Sequence, residues 1–145
     1  MSLSFKQTRQ MVTKRVRFSA AHHYYREDWT AEKNEEVFGL CANLAGHGHN
    51  YCLDVTVSGA LDEATGMVVN FDALLPVLEE AVVRPLDHQY LNKQVAYFKT
   101  HIPTLENIAR FVWEQLLMPL SVLKCQLESI RLYEHDDLYV EYKGA

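Results

Sequence analysis

His47-Gly48-His49-Asn50-Tyr51-Cys52-Leu53-Asp54-Val55-Thr56-Val57-Ser58 is the stretch on which the fold turns. Tyr51, Leu53, Val55 and Val57 recur with period two among β-branched and aromatic residues, the pattern of a half-buried strand. Gly59 and Gly66 bracket a turn after it, and Val68 and Val69 are expected to extend a second hairpin strand. The period then changes. Over Asn70–Val83, the residues Phe71, Leu74, Leu75, Leu78 and Val82 take helical spacing, with Asn70 or Asp72 available as cap. Pro76 has no N–H for the helical ladder, so a late start or a kink is expected there, and Pro85 limits the end.

Working outward, Val12–Ala21 alternates apolar with charged residues from Val16 onward and reads as a strand. Tyr24–Gly46 is polar and irregular: a long loop with a short helix, of the length that is often functional. Arg84–His101 is a second long connector. Thr104 caps a helix that places Leu105, Ile108, Ala109, Val112 and Leu116 on one face. Leu127–Glu134 and Leu138–Lys143 read as strands joined at His135–Asp137. Strands and helices kept apart in this way predict an α+β fold with an antiparallel sheet and helices on one face. Two helices cover one face only, so the other is expected to meet a partner in an oligomer.

At 145 residues the chain is expected to be a single domain, 1–145, with residues 1–11 read as disordered or tag-derived. Fourteen Lys and Arg against nineteen Asp and Glu give a net charge of −5, which argues against a nucleic-acid partner. No apolar run approaches the ~18–20 residues of a membrane helix. The start MSLSFKQTRQ lacks the apolar core of a secretory signal. Three cysteines, Cys41, Cys52 and Cys125, form no CxxC and no even framework, so reduced thiols and a cytoplasmic location are expected. Cys52 and Cys125 fall within strand patterns and are read as core.

Seven histidines are many for this length, and their placement carries the chemistry. In a strand, His47 and His49 share a face with Cα atoms about 6.6 Å apart, close enough for two imidazoles to converge on one ion. Gly48 between them removes a side chain. His22, at the end of the first strand, offers a third imidazole; three His ligands on zinc leave a position open, as in catalytic sites. By themselves these are also merely polar residues at a strand edge. Cys41, six residues before His47, reads equally as a thiolate base, as a fourth ligand or as a small apolar filler. Asp87-His88 reads as a proton-transfer dyad or as an exposed turn. Glu106 opens a helix, either as partner of its dipole or as a carboxylate that accepts two parallel N–H bonds from a planar ring. Glu134 ends a strand before a turn. Tyr24, Tyr25, Tyr51 and Phe98 serve core packing or line a ring pocket. His23, His101 and His135 read as surface or packing residues.

In order, the chain presents Phe18-Ser19-Ala20-Ala21-His22, then Cys41 to His49 (CANLAGHGH) with Asn50-Tyr51, then Thr65-Gly66-Met67-Val68-Val69-Asn70. Pro85-Leu86-Asp87-His88, Pro103-Thr104-Leu105-Glu106-Asn107 and Tyr133-Glu134 follow. In this order and spacing the chain closely resembles the 6-pyruvoyl-tetrahydropterin synthase family, from about Val16 to Gly144. The resemblance implies the tunnelling fold: a four-stranded antiparallel sheet with two helices on one side, three subunits closing a barrel and two trimers stacking into a homohexamer. It implies a zinc-dependent lyase acting on 7,8-dihydroneopterin triphosphate, with active sites between subunits. By position His22, His47 and His49 match the zinc ligands. Cys41 matches the catalytic cysteine, and Asp87 and His88 match its catalytic partners from a neighbouring subunit. Glu106, with Thr104 beside it, matches the carboxylate anchoring the pterin ring, and Glu134 matches a further pocket carboxylate.

Two branches of the family differ in product. One makes 6-pyruvoyl-tetrahydropterin, toward tetrahydrobiopterin. The other makes 6-carboxytetrahydropterin, toward queuosine, with acetaldehyde and triphosphate released. Five residues separate Cys41 from His47, similar to the pyruvoyl branch; the carboxy branch usually has three. Asn43, Asn50-Tyr51 and the length of the Tyr24–Leu40 insert also look like the pyruvoyl branch. Pro103-Thr104-Leu105 departs from the Thr-Thr-Glu-Asn pattern of the animal enzymes and looks like the Pro-Thr-x-Glu of the carboxy branch. The expectation is the pyruvoyl enzyme, with the carboxy enzyme as alternative and an inactive zinc-containing pterin-binding domain behind both.

Overall fold

The computed structural model describes residues 9–145. Its frame is a long hairpin: β1 (Arg9–His22) runs antiparallel to β2 (His47–Ala60) in unbroken register from Arg9↔Ala60 to His22↔His47. The sheet has five strands rather than the expected four. Their order is β3-β1-β2-β4-β5, with β3 (Gln89–Tyr90), β4 (Gln126–His135) and β5 (Leu138–Tyr142). The extra strand, β3, is two residues long and lies parallel to Ala20 and Ala21 at the far end of β1. No hydrophobic period announces so short a strand; only the crossover from the helix before it creates the pairing. Val68 and Val69 form no strand: a single bridge, Asp62 with Met67, closes the turn, and Val69 is buried in the core.

Period two assigns the faces. Val16, Phe18, Ala20 and His22 of β1 and Tyr51, Leu53, Val55 and Val57 of β2 are buried on one side. On β4 the buried set runs Leu127, Ile130, Leu132, and a register shift opposite Thr56 and Val57 takes up the odd spacing. The opposite face is polar. Arg15 forms two hydrogen bonds to Asp54, at 2.6 and 2.9 Å, and Thr13 bonds Thr56 across the strands. Cys52 alternates onto this face and is half-buried, so it is not a core thiol, whereas Cys125 is buried.

Three helices matter to the site. α1 (Ala31–Phe38) interrupts the first long loop, capped by the Thr30 hydroxyl. α2 (Phe71–Leu78) is capped by Asn70, so it starts at once and Pro76 falls in its second turn. The irregularity follows the proline, as a π-helical turn over Glu79–Val83 that runs on to Leu86. Of its predicted apolar face, Leu74, Leu78 and Val82 are buried while Phe71 and Leu75 are exposed. α3 (Leu105–Val122), capped by Thr104, buries Leu105, Ile108, Ala109, Val112, Leu116 and Leu120 against the sheet. Arg9 to Met11 open β1, so this part of the segment expected to be disordered is strand; residues 1–8 lie outside the described residues.

Candidate functional site

The β1–β2 register builds the centre. His22 stands directly opposite His47, and His49 follows two residues along β2, opposite Ala20. All three side chains therefore leave the sheet on the helix-covered face. Their ring centroids lie 4.8, 5.0 and 4.9 Å apart, and their candidate ligand atoms all fall within 4.8 Å of one another.

His22 is completely buried, and its tautomer is set by its neighbours. Nδ1 lies 3.0 Å from the Pro103 carbonyl and 3.1 Å from the Tyr51 hydroxyl. A carbonyl only accepts, so Nδ1 carries the proton and Nε2 turns its lone pair toward the cluster. That Nε2 is 3.2 Å from Nε2 of His47. Two ligand nitrogens on tetrahedral zinc sit roughly 3.3 Å apart when Zn–N is ~2.0–2.1 Å, so the pair already has the spacing of one coordination edge. Nε2 of His49 is buried without a hydrogen-bond partner. Glu134 Oε1 approaches it at 2.8 Å but off the line of a ring N–H, so the contact is close without being a hydrogen bond. An orphaned ring nitrogen beside two convergent imidazoles fits a divalent transition-metal cation.

Electrostatics agree. Burial, and then the neighbouring His47 and His49, push His22 down to about 4, so it is neutral at physiological pH, as a metal ligand must be. His49 is also pushed down, chiefly by burial, with Glu134 acting in the opposite direction.

Cys41 sits in a 3₁₀ turn (Gly39–Ala42) behind α1, and its carbonyl accepts the Tyr24 N–H at 2.7 Å. Its sulfur is not one of the convergent ligand atoms, which separates it from the imidazole group. Burial and then the negative charge of Glu134 push its thiol above the ordinary value. Burial, and then the negative charges of Glu134, Cys41 and Glu106, push the Tyr24 phenol up; its ring lies 4.9 Å from that of His22. Glu106 is exposed on the first turn of α3, one residue after Leu105, while the Thr104 hydroxyl is occupied as the cap.

Asp87 and His88 form the expected dyad, Nδ1 to Oδ2 at 2.8 Å, but on the edge of β1. Ser19 holds both: its N–H donates to Asp87 Oδ1 at 2.8 Å, and its carbonyl accepts the His88 N–H at 2.6 Å. The Ser19 bond holds the Asp87 carboxyl below the usual range, opposed by burial and reinforced by His88. His88 has a left-handed backbone, φ 59°, and a side chain that is 84% exposed. Among the described residues, neither member of the dyad has a hydrogen bond or ring contact with the three imidazoles. His88 opens onto a cavity of about 480 Å³ that Ser19, His49, Asn50 and Gln94 also line.

Tyr90 went unread in the sequence, while Tyr51 was read as a core or ring-pocket residue and His135 as a surface or packing residue. Tyr51 orients His22, Tyr90 bonds to His23, and His135 approaches His49 with ring centroids 5.1 Å apart. The period-two pattern already placed Tyr51 on the same face as His49. Nothing local marks Tyr90, which reaches the site from a separate element. His101 is a surface residue, stacked on Tyr97.

Residues 11–145 match the family model described as 6-pyruvoyl tetrahydropterin synthase. The chain is 44% identical over 135 residues to the 6-pyruvoyl tetrahydrobiopterin synthase of Pongo abelii, covering 92% of this chain and 90% of that protein. It is 30% identical over 125 residues to a 6-carboxy-5,6,7,8-tetrahydropterin synthase of Haemophilus influenzae, covering 72% and 85%. The structure of Caenorhabditis elegans 6-pyruvoyl tetrahydropterin synthase superposes with a TM-score of 0.89 at 32% identity, over 97% of this chain and 99% of that one.

Proposed function

Because the chain belongs to the 6-pyruvoyl tetrahydropterin synthase family, we propose that it converts 7,8-dihydroneopterin triphosphate to 6-pyruvoyl-tetrahydropterin with elimination of triphosphate. The observation that carries this reading is the cluster of His22, His47 and His49, with a lone pair aimed inward, an orphaned ring nitrogen and Glu134 at its rim. These three imidazoles would hold zinc. When bound, zinc supplies Lewis-acid polarisation of the substrate's side-chain hydroxyls, which makes the neighbouring C–H more acidic.

Glu106 accepts the parallel N–H groups of the pterin ring, with Thr104 beside it, and Glu134 contributes the second carboxylate of the pocket. Cys41, as thiolate, removes the C–H proton. Asp87 and His88 pass protons and tune the thiol. The dihydropterin ring takes up the electrons by internal tautomerisation, so no redox cofactor enters, and triphosphate departs as the leaving group. The place of the dyad, on the edge of β1 and without contact to the imidazoles, favours its service to a neighbouring subunit's site in a homohexamer of two trimers. The free thiols and the absence of a membrane-crossing helix among the described residues accord with a cytoplasmic enzyme.

The test is a product assay. Zinc-loaded protein is incubated with 7,8-dihydroneopterin triphosphate and the pterin identified by mass spectrometry. A 6-pyruvoyl product with released triphosphate is expected. The Pro103-Thr104-Leu105 pattern favours a second reading, the 6-carboxy product with acetaldehyde, and its appearance would replace the first. Cys41→Ala is expected to keep zinc and fold while turnover falls about 10²–10⁴-fold. A wild-type protein that binds zinc and shows no turnover would instead be a pterin-binding domain.

A further inference from the structure

The turn that carries Cys41 is pinned at two carbonyls. The first is Cys41's own, held by the Tyr24 N–H. The second belongs to Leu44, three residues on, and accepts the Tyr90 hydroxyl at 3.2 Å. The same hydroxyl lies 2.7 Å from Nδ1 of His23. Tyr90 has one proton to give and a carbonyl can only accept. With that proton on Leu44, His23 Nδ1 must be the donor to the phenol oxygen. A directed chain results: His23 Nδ1–H to Tyr90 Oη, and Tyr90 O–H to the Leu44 carbonyl.

Every member of the chain is itself held. Asn92 grips His23 by both backbone groups, accepting its N–H at 3.0 Å and donating to its carbonyl at 2.9 Å. Lys93 Nζ lies 4.8 Å from the centre of the Tyr90 ring. Gly46 completes the fit. A Cβ at this position would stand 2.5 Å from Tyr90 Oη and 3.0 Å from the His22 carbonyl, and its φ of 73° suits glycine. The phenol thus occupies space that any other residue at 46 would fill. Tyr90 also lies two residues beyond His88, so the segment that carries the dyad runs on into the strand whose Tyr90 bonds the Leu44 carbonyl.

We propose that His23 and Tyr90 are positioning residues for the reaction, locking the Leu44 carbonyl and so setting the Cys41 thiol against the imidazole cluster. The proposal rests on the assignment of Cys41 as the base, and its test has a readout that needs no turnover. Zinc-loaded wild type and Tyr90→Phe are treated with iodoacetamide, and Cys41 alkylation is followed by mass spectrometry with buried Cys125 as internal reference. Zinc content, kcat and KM are measured on the same samples.

Loss of one hydrogen bond is expected to change Cys41 alkylation about 2–10-fold and to lower kcat by a similar factor, with KM and zinc content near wild type. His23→Asn, which keeps a donor where Nδ1 stood, should behave as wild type, whereas His23→Ala should follow Tyr90→Phe. Wild-type alkylation in Tyr90→Phe overturns the proposal. So does altered alkylation with unchanged kcat, because the clamp would then hold the loop without serving the reaction. Should the wild type itself lack turnover, the assigned activity fails, while the alkylation comparison still decides whether the clamp governs Cys41.

Discussion

The imidazole cluster and the Asp87–His88 dyad are built on opposite plans. The cluster lies on the helix-covered face of the sheet, with His22 fully buried and its far nitrogen held by Pro103 and Tyr51. Its geometry follows from strand register, since His22 opposite His47 and His49 two residues along leave no freedom to point elsewhere. The dyad is tied to the edge of β1 by the backbone of Ser19, with an imidazole that is largely in solvent and a backbone in the left-handed region. A buried, preorganised group is complete within one chain. An exposed group with a strained backbone at a sheet edge is the kind found at functional sites.

The largest expected effect breaks the first plan. His22→Ala removes a ligand and leaves the buried Pro103 carbonyl and Tyr51 hydroxyl without their partner. Zinc per chain, measured by inductively coupled plasma mass spectrometry, should fall from stoichiometric to a small fraction, and turnover with it. Retention of full zinc would show that the ion sits elsewhere, for instance on His49, Glu134 and His135, the second group of converging donors.

A smaller and more discriminating effect tests the second plan. His88→Ala should keep its zinc and lose about 10²–10⁴ in turnover. If the dyad serves a neighbouring subunit, as proposed, unfolding and refolding it together with Cys41→Ala should restore activity, because mixed oligomers would hold sites with one intact Cys41 and one intact dyad. No recovery from the mixture would place the dyad in the service of its own chain.

The mildest perturbation is pH. Burial and Glu134 raise the thiol of Cys41 in the protein without metal, so its thiolate should appear only above the ordinary thiol range. A dication at the imidazoles favours the anionic form and should move the ionisation downward. Alkylation rate against pH, with and without zinc, measures both. Identical profiles would separate Cys41 electrostatically from the metal.

The helices and long strands could be read locally because each repeats its own period. Leu105, Ile108, Ala109, Val112 and Leu116 share a helical face whatever they pack against, and Tyr51, Leu53, Val55 and Val57 share a strand face. The convergence of His47 and His49 could be read for the same reason. The failures share a cause too. β3 is too short to show a period, Val68–Val69 mimics a strand although it only closes a turn, and Phe71 and Leu75 lie at the exposed margin of α2. Cys52 was placed in the core although alternation with Leu53 sends it to the polar face. His23 was read as a packing histidine because its partner, Tyr90, is 67 residues away.

The sequence by itself determined the two periodicities, the cap at Thr104 with Asn70 or Asp72 before the other helix, and the ordered motifs that place the chain in its family. Each depends on neighbours within a turn or two, where chain geometry alone sets which side chains meet. The tertiary structure alone decided how His22 meets His47 across the sheet, that Ser19 holds the dyad at the edge of β1, and that Tyr90 bonds the Leu44 carbonyl. These contacts join residues 25 to 69 positions apart, and strand register and crossover path, not local spacing, bring them together.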